Sequence, residues 1–125
     1  WARRLCIRDR YLFNDIDGST NTVKITQRGA GNHSSTTDVN GDNNNITVLQ
    51  RGNNNQMTST ITVDNGHEVD LLQRYGDHTA TINLTNSGGA YNLDVDQIDQ
   101  NTDRSYSITG YCANSSGCTV SVTQN

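Results

Sequence analysis

Five times along this chain a short run of alternating aliphatic residues ends in a glutamine. The runs are Val23-Lys24-Ile25-Thr26-Gln27, Ile46-Thr47-Val48-Leu49-Gln50, Val69-Asp70-Leu71-Leu72-Gln73, Leu93-Asp94-Val95-Asp96-Gln97 and Val120-Ser121-Val122-Thr123-Gln124. Successive glutamines lie 23, 23, 24 and 27 residues apart, each with one aliphatic residue four positions before it and another two before it. The apolar residues follow the two-residue period of a strand and not the 3.6-residue period of a helix. One phrase repeated at an almost fixed interval marks a repeat protein, in which each unit buries its faces against its neighbours. The pattern predicts an all-β fold, a β-solenoid of about five stacked strand–turn–strand coils of roughly 23 residues each.

Composition matters here because it would otherwise argue for disorder. Only 31% of the 125 residues are hydrophobic and 6% aromatic, with a mean hydropathy of -0.74. Such a chain lacks the apolar surface for an ordinary globular core, but a solenoid needs only a thin interior. There is no proline, which fits strands that hydrogen-bond on both sides. The net charge of -4 argues against nucleic acid as the main partner, and no apolar run reaches membrane-spanning length. A chain opening on Trp1, with this Asn-rich polar composition, is expected to be a processed, secreted product.

Taken in order, residues 1–20 break the pattern. They hold Arg3, Arg4, Arg8 and Arg10 and read either as an N-terminal arm or as a degenerate capping coil. Running the period backwards puts Arg4 at the glutamine place and Tyr11 and Phe13 at inward positions. Residues 21–125 then divide into repeats 21–43, 44–66, 67–90 and 91–117 and a half coil, 118–125. In the first repeat Asn21, Val23, Ile25 and Gln27 share one strand face. Gly29 and Asn32 make the turn, and Ser34, Thr36 and Asp38 continue inward. In the second, Asn44, Ile46, Val48, Gln50, Gly52, Asn55, Met57, Ser59 and Ile61 fall in register. The third keeps Val69, Leu71 and Gln73, sets Tyr75 and His78 in the Gly and Asn places, and continues with Ala80, Ile82 and Leu84. The fourth keeps Leu93, Val95 and Gln97, with Tyr106 and Ile108 on its second strand. The half coil supplies Val120, Val122 and Gln124. Asn40-Gly41-Asp42, Asp64-Asn65-Gly66 and Asn86-Ser87-Gly88-Gly89 are the far corners.

A buried glutamine is costly alone, at roughly 1–3 kcal/mol. Stacked at the strand spacing of about 4.8 Å, each amide can donate to one neighbour and accept from the other. Gln27, Gln50, Gln73, Gln97 and Gln124 are therefore expected to form an inward ladder, unsatisfied only at its ends. The end coils would also expose rows of backbone hydrogen-bonding groups, and head-to-tail stacking would satisfy both without ever closing.

The runs Asn21 to Asn32 and Asn44 to Asn55, each a small polar residue, five residues, Gln, any residue, Gly, two residues and Asn, resemble the repeat of bacterial curlin, the subunit of curli amyloid fibres. The resemblance spans about residues 21–124. Asp38, Ile61 and Leu84 stand where that family has a second glutamine, and the later copies lose Gly and Asn. It implies a β-solenoid secreted through an outer-membrane pore, adding head to tail to copies of itself or to a nucleator subunit. The resulting extracellular, cell-surface fibre would serve biofilm matrix and surface adhesion.

Arg28, Arg51 and Arg74 directly follow their glutamines and should stack outward, either as a stripe for extracellular DNA or acidic polysaccharide or as a solvated column balanced by Asp70, Asp94 and Asp96. Cys112 and Cys118 flank a turn-like Ala-Asn-Ser-Ser-Gly and in an oxidising compartment are expected to form a disulfide, leaving Cys6 over. His33, His67 and His78 lie in or near turns at unrelated phases, which points to no metal or acid–base role. No catalytic constellation, phosphate loop or metal or cofactor spacing appears, so no enzyme is expected. The alternative reading is a monomeric β-solenoid that binds ice or glycans through Thr-x-Thr rows, of which Thr58-Ser59-Thr60 and Thr79-Ala80-Thr81 are examples.

Overall fold

The computed structural model describes residues 10–30, 32–52, 56–86, 89–99, 104–113 and 115–124; for Arg10, residues 56–62, Asn86 and Asp99 the description is of the backbone. Among the described residues ten strands follow one another without a helix: β1 (Arg10–Asp17), β2 (Thr22–Arg28), β3 (Asn32–Asn40), β4 (Asn45–Arg51), β5 (Gln56–Val63), β6 (Glu68–Tyr75), β7 (His78–Asn86), β8 (Tyr91–Asp99), β9 (Arg104–Cys112) and β10 (Cys118–Gln124). Odd strands form one parallel sheet in the order β1-β3-β5-β7-β9, and even strands form the other, β10-β8-β6-β4-β2. The chain is a β-solenoid of about four turns. Among the described residues four complete coils, β2–β3 to β8–β9, lie between the single strands β1 and β10.

Every described pairing is parallel, and the alternation of side chains along each strand sorts core from surface. In the even sheet the register aligns Val23, Ile46, Val69, Leu93 and Val120 in one inward column and Ile25, Val48, Leu71, Val95 and Val122 in the next. The three middle members of each column are 0–2% exposed, and the end members are partly buried. Facing them from the odd sheet are Val39, Val63, Ala80, Ile82 and Leu84. The core is therefore one residue deep from each sheet, which reconciles the low hydrophobic content with a folded chain.

The odd sheet corrects the expected phase of the first repeat. Ser34 and Thr36 are half-exposed and Asp38 is exposed, whereas His33, Ser35, Thr37 and Val39 are buried. The reason is corner length. The step from each glutamine to its counterpart at the start of the next odd strand, Gln27 to His33, Gln50 to Met57, Gln73 to His78 and Gln97 to Arg104, takes 6, 7, 5 and 7 residues. A change of one residue exchanges the two faces of a strand. The same effect corrects the N-terminal coil. There Leu12, Asn14 and Ile16 lie in register with the inward Ser35, Thr37 and Val39, and Tyr11 and Phe13 pair with the outer-face Ser34 and Thr36. Arg4 lies outside the described residues.

Corners at the other end of the coils are held by backbone stacking. Gly41 N–H donates to the Asp17 carbonyl and Gly66 N–H to the Asp42 carbonyl, each at 2.8 Å. Gly41 has a φ of +151, and a Cβ there would collide with Asn65 Oδ1. Gly41→Ala should cost about 1–3 kcal/mol, the range for a backbone conformation that only glycine adopts freely. A lower urea midpoint with unchanged m-value is the expected result.

Candidate functional site

Four identical links join the five glutamines. Gln27 Nε2 donates to Gln50 Oε1, Gln50 to Gln73, Gln73 to Gln97 and Gln97 to Gln124, each at 2.9 Å. Gln50, Gln73 and Gln97 are 0% exposed. The second amide hydrogen goes to a carbonyl of the odd strand one coil earlier: Gln27 to Tyr11, Gln50 to Ser34 and Gln97 to Thr79. Each of these glutamines thus ties its own coil to the one after and the one before. Because all four Gln–Gln links run the same way, the ladder is polar.

A second column, at the start of the even strands, was not legible as a unit in the sequence. Asn21 Oδ1 accepts the backbone N–H of Asn44 at 3.0 Å, Asn44 Oδ1 that of His67 at 2.8 Å, and His67 Nδ1 that of Tyr91 at 3.0 Å. The imidazole substitutes for an asparagine amide. Its Nδ1 must carry the lone pair for Tyr91, so Nε2 carries the hydrogen donated to Asp64 Oδ1 at 2.6 Å. The signal for this column was the residue two before the first aliphatic of each run, which reads Asn, Asn, His, Tyr, Cys.

The histidines do not sit at unrelated phases, and this too is a correction. His33 and His78 occupy one odd-sheet register position, with Met57 between them. Both are buried, and each Nε2–H donates to the carbonyl of the arginine after its glutamine, Arg28 at 3.2 Å and Arg74 at 2.8 Å. They close corners. Among the described residues no group of three His, Cys, Asp or Glu side chains comes together to hold a metal.

Of the turn residues, Gly29 has a φ of +113 and Gly52 N–H donates to the Arg28 carbonyl at 3.0 Å. Asn32 is not in the turn but is the first, exposed residue of β3, and Asn55 lies outside the described residues. Tyr75, in the glycine place of the third repeat, takes the same left-handed region with a φ of +75. Cys112 and Cys118 are bonded to each other. This bridge fastens the start of β10 to the end of β9. In the loop-closure picture so short a loop contributes about 2 kcal/mol. Reduction should therefore lower the urea midpoint and expose β10 to proteolysis before the rest of the chain.

The outer faces of the two sheets differ. On the even sheet Arg28, Arg51 and Arg74 stand in register, followed by Ile98, and among the described residues none of the three arginines is in an ion pair. Asp70 and Asp94 share a separate column, in register with Lys24 and Thr47. Asp96 adjoins the Arg74 end. Burial and then the Asp94 charge raise its carboxyl above the ordinary range, and Arg74 opposes them. On the odd sheet Ser34, Thr58, Thr79 and Ser105 hold one register position, and Thr36, Thr60, Thr81 and Ser107 hold another. The Ser/Thr rows thus continue through all four coils, which the sequence reading did not detect because the corners differ in length.

The last feature is the pair of ends. The odd sheet stops at β1 and β9 and the even sheet at β2 and β10, so four strands have an edge without a described neighbour. No family model, curated protein or solved structure matches the chain.

Proposed function

We propose that this protein is a structural, non-catalytic subunit that stacks end to end into an extracellular, curli-like amyloid fibre, serving biofilm matrix and surface adhesion. The observation that carries the reading is the state of the sheet ends. Soluble β-proteins block such edges with proline, charge or a covering element. Here the chain has no proline, and β10, Cys-Thr-Val-Ser-Val-Thr-Gln, has no charged residue. A parallel stack whose end strands have no described neighbour, with a glutamine ladder running to those ends, gains backbone and side-chain hydrogen bonds by adding another copy. The disulfide fits an oxidising, extracytoplasmic setting. A nucleator subunit and an outer-membrane pore belong to the same reading through the curlin resemblance.

Electron microscopy and fibre diffraction on purified protein near neutral pH test it. Filaments with a meridional spacing near ~4.8 Å support the fibre, and a stable monodisperse monomer would sink it. The arginine column is the proposed contact for extracellular DNA or acidic polysaccharide. Neighbouring guanidinium groups about 5 Å apart repel by roughly 0.8 kcal/mol in water, so a polyanion laid along them relieves a standing cost. Replacing Arg28, Arg51 and Arg74 together with Gln should abolish most salt-dependent heparin binding while filaments still form. Retained binding would show that the column is only solvated.

The Ser/Thr rows favour a second reading, a monomeric module that binds ice or glycans through the odd sheet. Thr is a good strand residue on any exposed face, but the even sheet, under the same constraint, carries charges instead. Ice-recrystallisation and glycan-binding assays on a protein that stays monomeric would decide for it.

A further inference from the structure

We infer that the outer face of the even sheet is a site for an acidic polysaccharide, with arginines for its carboxylates, a leucine strip under its sugar rings and Tyr75 as a stacking platform. This rests on the arginine column proposed above as a polyanion contact and names the polyanion. Arg28, Arg51 and Arg74 follow one another in register, so they form a straight row that advances about 4.8 Å per step. Residues two apart on a strand share a face. The column next to the arginines on that face reads Thr26, Leu49, Leu72 and Asp96, and Leu49 and Leu72 are half-buried there. A row of cations therefore runs beside an apolar strip. Asp70 and Asp94 stand one column further off, and Asp96 acts on the Arg74 end of the row.

A second, independent observation is backbone strain beside that row. The residue directly after the arginine is Gly29 in the first repeat and Gly52 in the second, but Tyr75 in the third. Tyr75 holds a φ of +75, a region in which a bulky side chain is an outlier. A fold keeps such strain where the residue has a task. Core packing is not that task, because Tyr75 is 42% exposed. The two glycines leave the flank of Arg28 and Arg51 open, and the tyrosine sets an aromatic ring at the Arg74 end.

Cations, apolar strip and exposed ring together select among polyanions. An acidic sugar carries a carboxylate at its edge and apolar C–H groups on its ring faces, and each ring advances an extended chain by about one strand spacing. Laid along the row, successive carboxylates meet successive guanidinium groups, whose planar fork suits two-point hydrogen bonding. The ring faces cover Leu49 and Leu72, and one of them stacks on Tyr75. Duplex DNA matches only the first of these features. Its phosphates can serve the arginines, but its backbone winds away from a straight row and its base faces stay stacked inside, so the leucines and Tyr75 gain no cover.

Binding of polygalacturonate, duplex DNA and single-stranded poly(dT), matched in total charge and salt, to the purified protein tests the assignment. Polygalacturonate should bind about tenfold tighter than duplex DNA, a margin that two covered leucines and one stacked ring supply. Arg51→Gln should weaken both. Tyr75→Gly should weaken polygalacturonate about three- to tenfold and leave duplex DNA unchanged, without lowering the urea midpoint, since glycine takes the left-handed region freely. Loss of binding in a variant of undiminished stability is not a folding defect. Duplex DNA binding as tightly as polygalacturonate would overturn the polysaccharide and leave the column to DNA. Tighter, Tyr75-dependent binding of poly(dT) would overturn it in favour of a single-stranded nucleic acid, and unchanged polygalacturonate binding by Tyr75→Gly would overturn the site. If no polyanion binds, the site and the column reading fall together, while the fibre reading is still judged by filaments.

Discussion

Gln73→Leu should lower the unfolding free energy by about 2–4 kcal/mol, one of the two largest single-residue effects expected in this chain. Gln73 is 0% exposed and sits at the centre of the ladder. Its removal strands one N–H of Gln50 and the Oε1 of Gln97, two buried groups that cost roughly 1–3 kcal/mol each. The added apolar burial of leucine offsets part of that. Gln124→Leu, at the half-exposed end, strands only one N–H of Gln97 and should cost less, about 1–2 kcal/mol. Urea unfolding of the two variants checks the contrast. Gln50→Leu combined with Gln73→Leu should cost clearly less than the two changes summed, because once Gln50 is gone its N–H is no longer orphaned. Strict additivity would mean that the glutamines act as separate side chains and not as a ladder.

His67→Leu should cost a comparable 2–4 kcal/mol, and His67→Asn should recover most of it. The leucine leaves the Tyr91 N–H without the Nδ1 acceptor at 3.0 Å and takes away the donor to Asp64. Asparagine restores the acceptor, since Asn21 and Asn44 perform the same task for Asn44 and His67 two coils and one coil earlier. What asparagine does not restore is the Asp64 contact and the ring packing on Tyr91, whose centroid is 5.9 Å away. If the two substitutions were equally damaging, the ring and not the acceptor would be the stabilising element.

Sheet composition and the inward columns of the even sheet were legible because they lie at a fixed distance from a recognisable residue. Each glutamine follows its two aliphatic residues at offsets of four and two, so locating Gln27, Gln50, Gln73, Gln97 and Gln124 locates the rest. The odd sheet has no such marker. Its shared first register position falls 6, 7, 5 and 7 residues after the glutamines, and a fixed offset sends Ser34, Thr36 and Asp38 inward where His33, Ser35, Thr37 and Val39 belong. For the same reason Tyr11 and Phe13 were expected inside, and the kinship of His33 with His78 was hidden. Interchange of Asn21, Asn44 and His67 in one column was obscure for a different reason. It depends on one ring nitrogen acting as an amide oxygen does, and residue identity alone does not display that equivalence.

Residue order alone is enough to specify a β-solenoid and the residues that line one wall of it. A strand period of two and a near-constant repeat leave few other ways to bury aliphatic residues and glutamines together. The phase of the second wall and the corner tasks of the histidines emerge only from the folded coils. Corners can absorb a residue without disturbing the coil, so the period does not record them. Parallel hydrogen bonding at about 4.8 Å then realigns the strands whatever the corner length, and that alignment exists only once the coils are stacked.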